Sequence, residues 1–113
     1  MTPDHAALMS ALFELEAELR RLALWEDEPP AAERLASRLP FCHDTLEFHQ
    51  WLQWVFVPRL GELLGSGAEL PHASGIAPLA EMTFAECQVE AEELVAILGR
   101  IDALLNASAP RIN

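Results

Sequence analysis

The sequence contains no lysine, no tyrosine and only two cysteines, Cys42 and Cys87, among its 113 residues. Without lysine, all positive charge rests on seven arginines, set against eighteen Asp and Glu, for a formal net charge of −11. Phosphate binding needs cations that displace counterions, so this balance argues against a surface built mainly to hold a nucleic-acid backbone. It equally disfavours a basic helix lying on a membrane. Two cysteines are too few for a disulfide scaffold, which points to reduced thiols and a cytoplasmic location. No stretch approaches the ~20 apolar residues of a membrane span. The densest one, Trp51 to Val57, contains Gln53 and stops at Pro58. Asp4, His5 and three glutamates break up the first twenty residues, so that region is expected to be mature protein rather than a secretion signal.

Strand signals are also scarce: there is no sustained alternation and no Asn-Gly or Asp-Gly hairpin. What the chain does have is Leu, Ala and Glu in helical registers, with 51% hydrophobic residues to build a core. Length and composition predict one domain over residues 1–113. Leu8, Leu12, Leu15, Leu19 and Leu22 form one stripe and predict a first helix from about Asp4 to Trp25. Thr2 is its expected cap, and Pro3 its first residue. A short helix is expected within Ala31 to Arg38. Asp44 and Glu47 have capping-box spacing and predict a second helix from Asp44 to Gly65. That helix is apolar in nearly every direction, as expected of a central element wrapped by neighbours. Pro58 has no N–H to give the Trp54 carbonyl, so a local bend is expected there, or a split at Val57. A third helix follows at about Ala77 to Glu86, anchored by Leu79, Met82 and Phe84. The fourth, from about Val89 to Leu105, carries the stripe Leu94, Leu98, Ile101 and Leu105. The expected fold is all-α, an antiparallel four-helix bundle with a largely buried second helix.

The chemistry-bearing residues give no catalytic pattern. Cys42, His43, Asp44, Glu47 and His49 include metal-ligand types, but their spacing does not converge on one helix face, so no metal is expected. The one Glu-x-x-His pair, Glu69 with His72, has Pro71 inside it and lies in a loop, which removes a di-iron site. Neither cysteine has a recognisable nucleophile setting, and a small buried thiol is the ordinary outcome. No phosphate loop opens a helix, and no cofactor is expected. Arg34, Arg38 and Arg59, with Asp44, could converge on a carboxylate or phosphate, or simply pair with neighbouring acids. Trp51 and Trp54 stand three apart and read first as core and second as a partner surface. Gln50 and Gln53 beside them either fix a register or face solvent.

The stretch Leu24-Trp25, then Ser37 and PFCHDTLEFHQWLQWVFVPRL (residues 40–60), then Leu70-Pro71 and Ile76-Ala-Pro-Leu-Ala-Glu81, resembles the YqcC-like family of small bacterial proteins. The resemblance implies an all-helical bundle and brings no catalytic residues. Members of that family are often encoded beside a tRNA pseudouridine synthase of the C type, which implies an accessory role. The expectation is therefore a non-catalytic protein-interaction module, with that synthase as partner and no direct nucleic-acid contact. Its candidate contact residues are Arg34, Arg38, Phe41, His43, Asp44, Trp51, Trp54 and Arg59, with the exposed face near Pro40 to His43. The alternative is a small-ligand binder or enzyme at the Arg34, Arg38, Asp44, Arg59 corner. Any apolar excess around the tryptophans would be absorbed by a symmetric homodimer.

Overall fold

A computed structural model describes residues 3–42, 44–67 and 75–107. The expectations for Thr2, His43, Glu69 and His72 lie outside the described residues. The chain is all-helical: α1 (Pro3–Arg21), α2 (Ala32–Leu35), a 3-10 turn (Pro40–Cys42), α3 (Phe48–Trp51), a π-helical turn (Leu52–Phe56), α4 (Val57–Ser66), α5 (Ile76–Glu86) and α6 (Glu92–Ala107). No strand occurs among the described residues.

The leucine stripes place the core. Leu8, Leu12, Leu15 and Leu19 of α1 are buried, as are Leu94, Leu98, Ile101 and Leu105 of α6. The two stripes meet, and α6 also packs along α5. Each fully buried leucine contributes about 1.5 to 3 kcal/mol relative to an exposed one, which makes the α1–α6 contact the main hydrophobic seam. A two-pronged ion pair crosses it, Arg100 donating to both Glu14 oxygens at 3.2 Å. Both side chains are about half exposed, so this pair adds little.

The helix spanning residues 48–66 is less enclosed than its composition suggests. Leu52, Gln53, Leu60 and Leu64 are buried, whereas Trp51, Trp54, Val55, Phe56 and Val57 are half-buried. It begins at Phe48 rather than Asp44. Gln50 Oε1 accepts the Glu47 N–H at 2.8 Å, so the capping box is Glu47 with Gln50. Around Pro58 the helix widens: Leu52–Phe56 is a π turn, closed by a bond from the Val57 N–H to the Leu52 carbonyl. Regular α-geometry resumes at Val57, so Pro58 sits in the first turn of α4, where its missing donor is not needed.

Three helix ends explain the remaining differences. α1 stops at Arg21, four residues before Trp25. Ala23 adopts φ 61°, and the Leu24 N–H bonds the Leu19 carbonyl while the Ala23 N–H bonds that of Arg20. This is a Schellman turn without its usual glycine. α5 ends in the same way, with Gln88 at φ 58° and Val89 bonding back to Phe84. That turn keeps Val89 out of α6. α4 ends conventionally on Gly67 at φ 70°. In α5 the buried anchors are Ile76, Ala80 and Phe84, on one i, i+4, i+8 face. Leu79 is half-buried and Met82 is 56% exposed, so Met82 is not an anchor.

Candidate functional site

The family-like block between residues 37 and 60 folds around a stiff knuckle and an aromatic row. Phe41 and Cys42 follow each other at φ 60° and 49°, a conformation that a bulky side chain seldom adopts. The turn is fixed by a Cys42 carbonyl that accepts from the Thr45 and Leu46 amides at 3.0 and 2.8 Å. Its consequence is to lay the Phe41 ring edge-on against Trp51, centroids 4.9 Å apart. Trp51 then stacks with Phe48 at 5.9 Å and Phe56 at 5.4 Å, and Phe48 meets Phe84 of α5 edge-on at 5.9 Å. Phe41, Trp51 and Phe56 remain half-buried, so the row runs from the core to the surface. Leu39, next to the knuckle, is 45% exposed.

The arginine corner is arranged differently from a convergent anion site. Arg34 Nε donates to the Thr45 carbonyl at 2.7 Å, and the Thr45 hydroxyl returns a bond to the Arg34 carbonyl at 2.6 Å. The Ser37 hydroxyl donates to Asp44 at 2.5 Å. These bonds tie the α2 segment to the start of the central helix. Arg38 and Arg59 are exposed and make no hydrogen bond or ion pair among the described residues. His43 lies outside the described residues. Cys42 is a buried free thiol; Cys87 is also free but exposed, unlike the buried thiol expected. No group of three His, Cys, Asp or Glu among the described residues could hold a metal ion.

The best-satisfied polar cluster is one that sequence reasoning did not assemble. Gln53, 4% exposed, accepts the Glu26 N–H at 2.8 Å and donates to the Glu26 carbonyl at 2.7 Å. Gln50 Nε2 donates to both Glu26 carboxylate oxygens at 3.2 Å, and His49 Nε2 stands 3.8 Å from the same group. The segment after α1 is thereby clamped to the π turn. Glu26 reads in the sequence only as part of an acidic stop signal. The available clue is Gln50 and Gln53, three apart, inside an otherwise apolar helix. Trp54, in the same π turn, buries its indole N–H without an acceptor among the described residues. Trp25 is covered by Arg20, whose guanidinium lies 4.8 Å above the ring.

Comparison with known proteins finds relatives over most of this chain. A family model described as "DUF446: tRNA pseudouridine synthase C" matches residues 7–104. An uncharacterised protein of Haemophilus influenzae is 40% identical over 84% of this chain and 89% of its own. The uncharacterised protein YqcC of Escherichia coli is 37% identical over 88% of this chain and 92% of its own. The solution structure of the Escherichia coli protein superposes with a TM-score of 0.84, at 34% identity, over 99% of this chain and 96% of that one. A third relative, from Pectobacterium carotovorum, is named tRNA pseudouridine synthase C. It is 43% identical over 63 residues, which are 56% of this chain and 17% of that protein. Shared sequence over most of its length, together with the shared helical fold, makes this chain a member of the YqcC-like family of small bacterial proteins.

Proposed function

We propose that this protein is a non-catalytic accessory module, an antiparallel four-helix bundle that docks on a tRNA pseudouridine synthase of the C type in the cytoplasm. The observation that carries the proposal is the Pectobacterium carotovorum relative. There, a segment similar to more than half of this chain forms 17% of a much longer protein bearing the synthase name. Two sequences joined in one chain are held at high effective concentration, an arrangement that replaces a docking interface. The contact face proposed is the aromatic row that reaches the surface through Phe41 and Trp51, together with the half-buried Trp54 of the same helix. Interfaces concentrate binding energy in such half-enclosed rings. Arg38 and Arg59, which make no ion pair among the described residues, are the cations this block offers a partner. Arg34 and Asp44 support the face by bonding Thr45 and Ser37. The test is capture of the tagged protein from native lysate at low salt, with identification of what comes with it. Recovery of the synthase supports the proposal; its absence, with the tagged protein recovered folded, opposes it.

A further inference from the structure

Around the turn between α5 and α6 lies an open groove of about 760 Å³. Phe84, Val89 and Val95 give it an apolar lining, and Glu81, Glu90, Glu92 and Glu93 give it four carboxylates. Arg21 also lines it, but that guanidinium is already held two-pronged by Glu18. Glu92 and Glu93 fall in the first turn of α6, where the helix dipole favours acids. Glu81, in mid α5, has no such role, and Glu90 stands just outside that turn. Neither makes a hydrogen bond or ion pair among the described residues.

We infer that this groove receives an arginine- or lysine-bearing segment of a protein partner. A long cationic side chain lays its aliphatic stem on apolar surface and carries its charge to the rim. Val89 and Val95, both half-buried, supply the surface for the stem, and the exposed Glu81 and Glu90 receive the head. For the partner's identity the inference rests on the accessory reading: an enzyme that acts on tRNA must present cations to phosphate, and such segments complement this groove. It adds a second contact surface, separate from the Phe41–Trp51 row.

The experiment is an NMR titration of the intact protein with a capped hexa-arginine peptide at low ionic strength. Amide shifts concentrated in residues 81–95 are expected. The double variant Glu81→Gln, Glu90→Gln should weaken binding about tenfold, the effect of losing two modest ion pairs. Glu33→Gln with Glu62→Gln removes the same charge from exposed positions outside the groove and should leave the affinity within about twofold, since those charges act only through screened solvent. Equal weakening by both pairs, or shifts spread over the whole surface, would overturn the inference. The purified synthase provides the second arm. A complex that Glu81→Gln, Glu90→Gln does not weaken overturns the groove while the accessory reading stands. No complex with the unaltered protein overturns the accessory reading, and the peptide titration then decides the groove alone.

Discussion

Gln53 pairs with both backbone polar groups of Glu26, twenty-seven residues away, as a second peptide would. The side-chain amide accepts at 2.8 Å and donates at 2.7 Å. An amide can do this because it carries one acceptor and two donors in a plane. Gln53→Glu keeps the acceptor and loses the donor; Gln53→Ala loses both and leaves a partly buried peptide unsatisfied. Urea denaturation should show a loss of about 2 kcal/mol for Gln53→Ala, and Gln53→Glu should not rescue it. An unchanged midpoint for Gln53→Ala would show that the clamp does not hold the Glu26 segment.

Asp102 plays the same kind of role between α6 and α5. Buried on α6, it accepts the amides of Ile76 and Ala77, at 3.1 and 2.8 Å, and so caps α5 from a neighbouring helix. Gly75, at the N-cap position, has no side chain with which to cap it. Asp102→Ala should cost about 2 kcal/mol, within the range for charge-assisted bonds to a helix start. Hydrogen exchange should accelerate selectively in the first turn of α5. A uniform change across the chain would mean that Asp102 acts through packing instead.

Two glycine exchanges in opposite directions should both stabilise the protein. Ala23 sits at φ 61°, which a side chain adopts at a cost, so Ala23→Gly relieves strain. Gly99 lies inside α6, where an added methyl would meet only the Ala77 Cβ at 4.0 Å, an ordinary contact. Gly99→Ala should therefore gain from a less flexible unfolded chain. Each change is worth about 0.5 to 1 kcal/mol, a rise of several degrees in Tm for a chain this small. A fall in Tm for Ala23→Gly would contradict the observed turn.

Acid should weaken the fold partly through Glu18. Its carboxylate accepts two bonds from Arg21 and is itself 8% exposed, whereas Arg21 is 63% exposed. The Arg21 bonds hold the Glu18 carboxyl below its ordinary value. A depressed folded value contributes stability above the unfolded value and loses it as pH falls through the folded one. The stability difference between the protein and Glu18→Gln should thus be full near neutrality. It should shrink as pH drops below the ordinary glutamate value of about 4.3. A difference independent of pH would remove Glu18 from the acid response.

The parts of this fold legible in the sequence were those written as periodicity. Leu8 to Leu19 and Leu94 to Leu105 announced two buried stripes, and both are buried. The helix ends were harder, because Ala23 and Gln88 take a backbone conformation normally marked by glycine. Asp44 has capping-box spacing from Glu47, yet it bonds Ser37, and the local box is Glu47 with Gln50. Asp102 and Gln53 were illegible for a related reason. A polar residue inside an apolar pattern does not say which distant peptide it will satisfy. The candidate block was visible as Phe41, Trp51 and Trp54, but the turn that seats Phe41 on Trp51 depends on two consecutive left-handed residues.

The accessory role is tested most directly with two purified proteins, this chain and a C-type tRNA pseudouridine synthase from the same organism, in sedimentation analysis at low salt. A defined complex is expected at micromolar concentrations, about −8 kcal/mol of binding, with weaker association on Phe41→Ala. Two species that sediment independently at every ratio, with the Trp fluorescence of this chain unchanged by the enzyme, would contradict it.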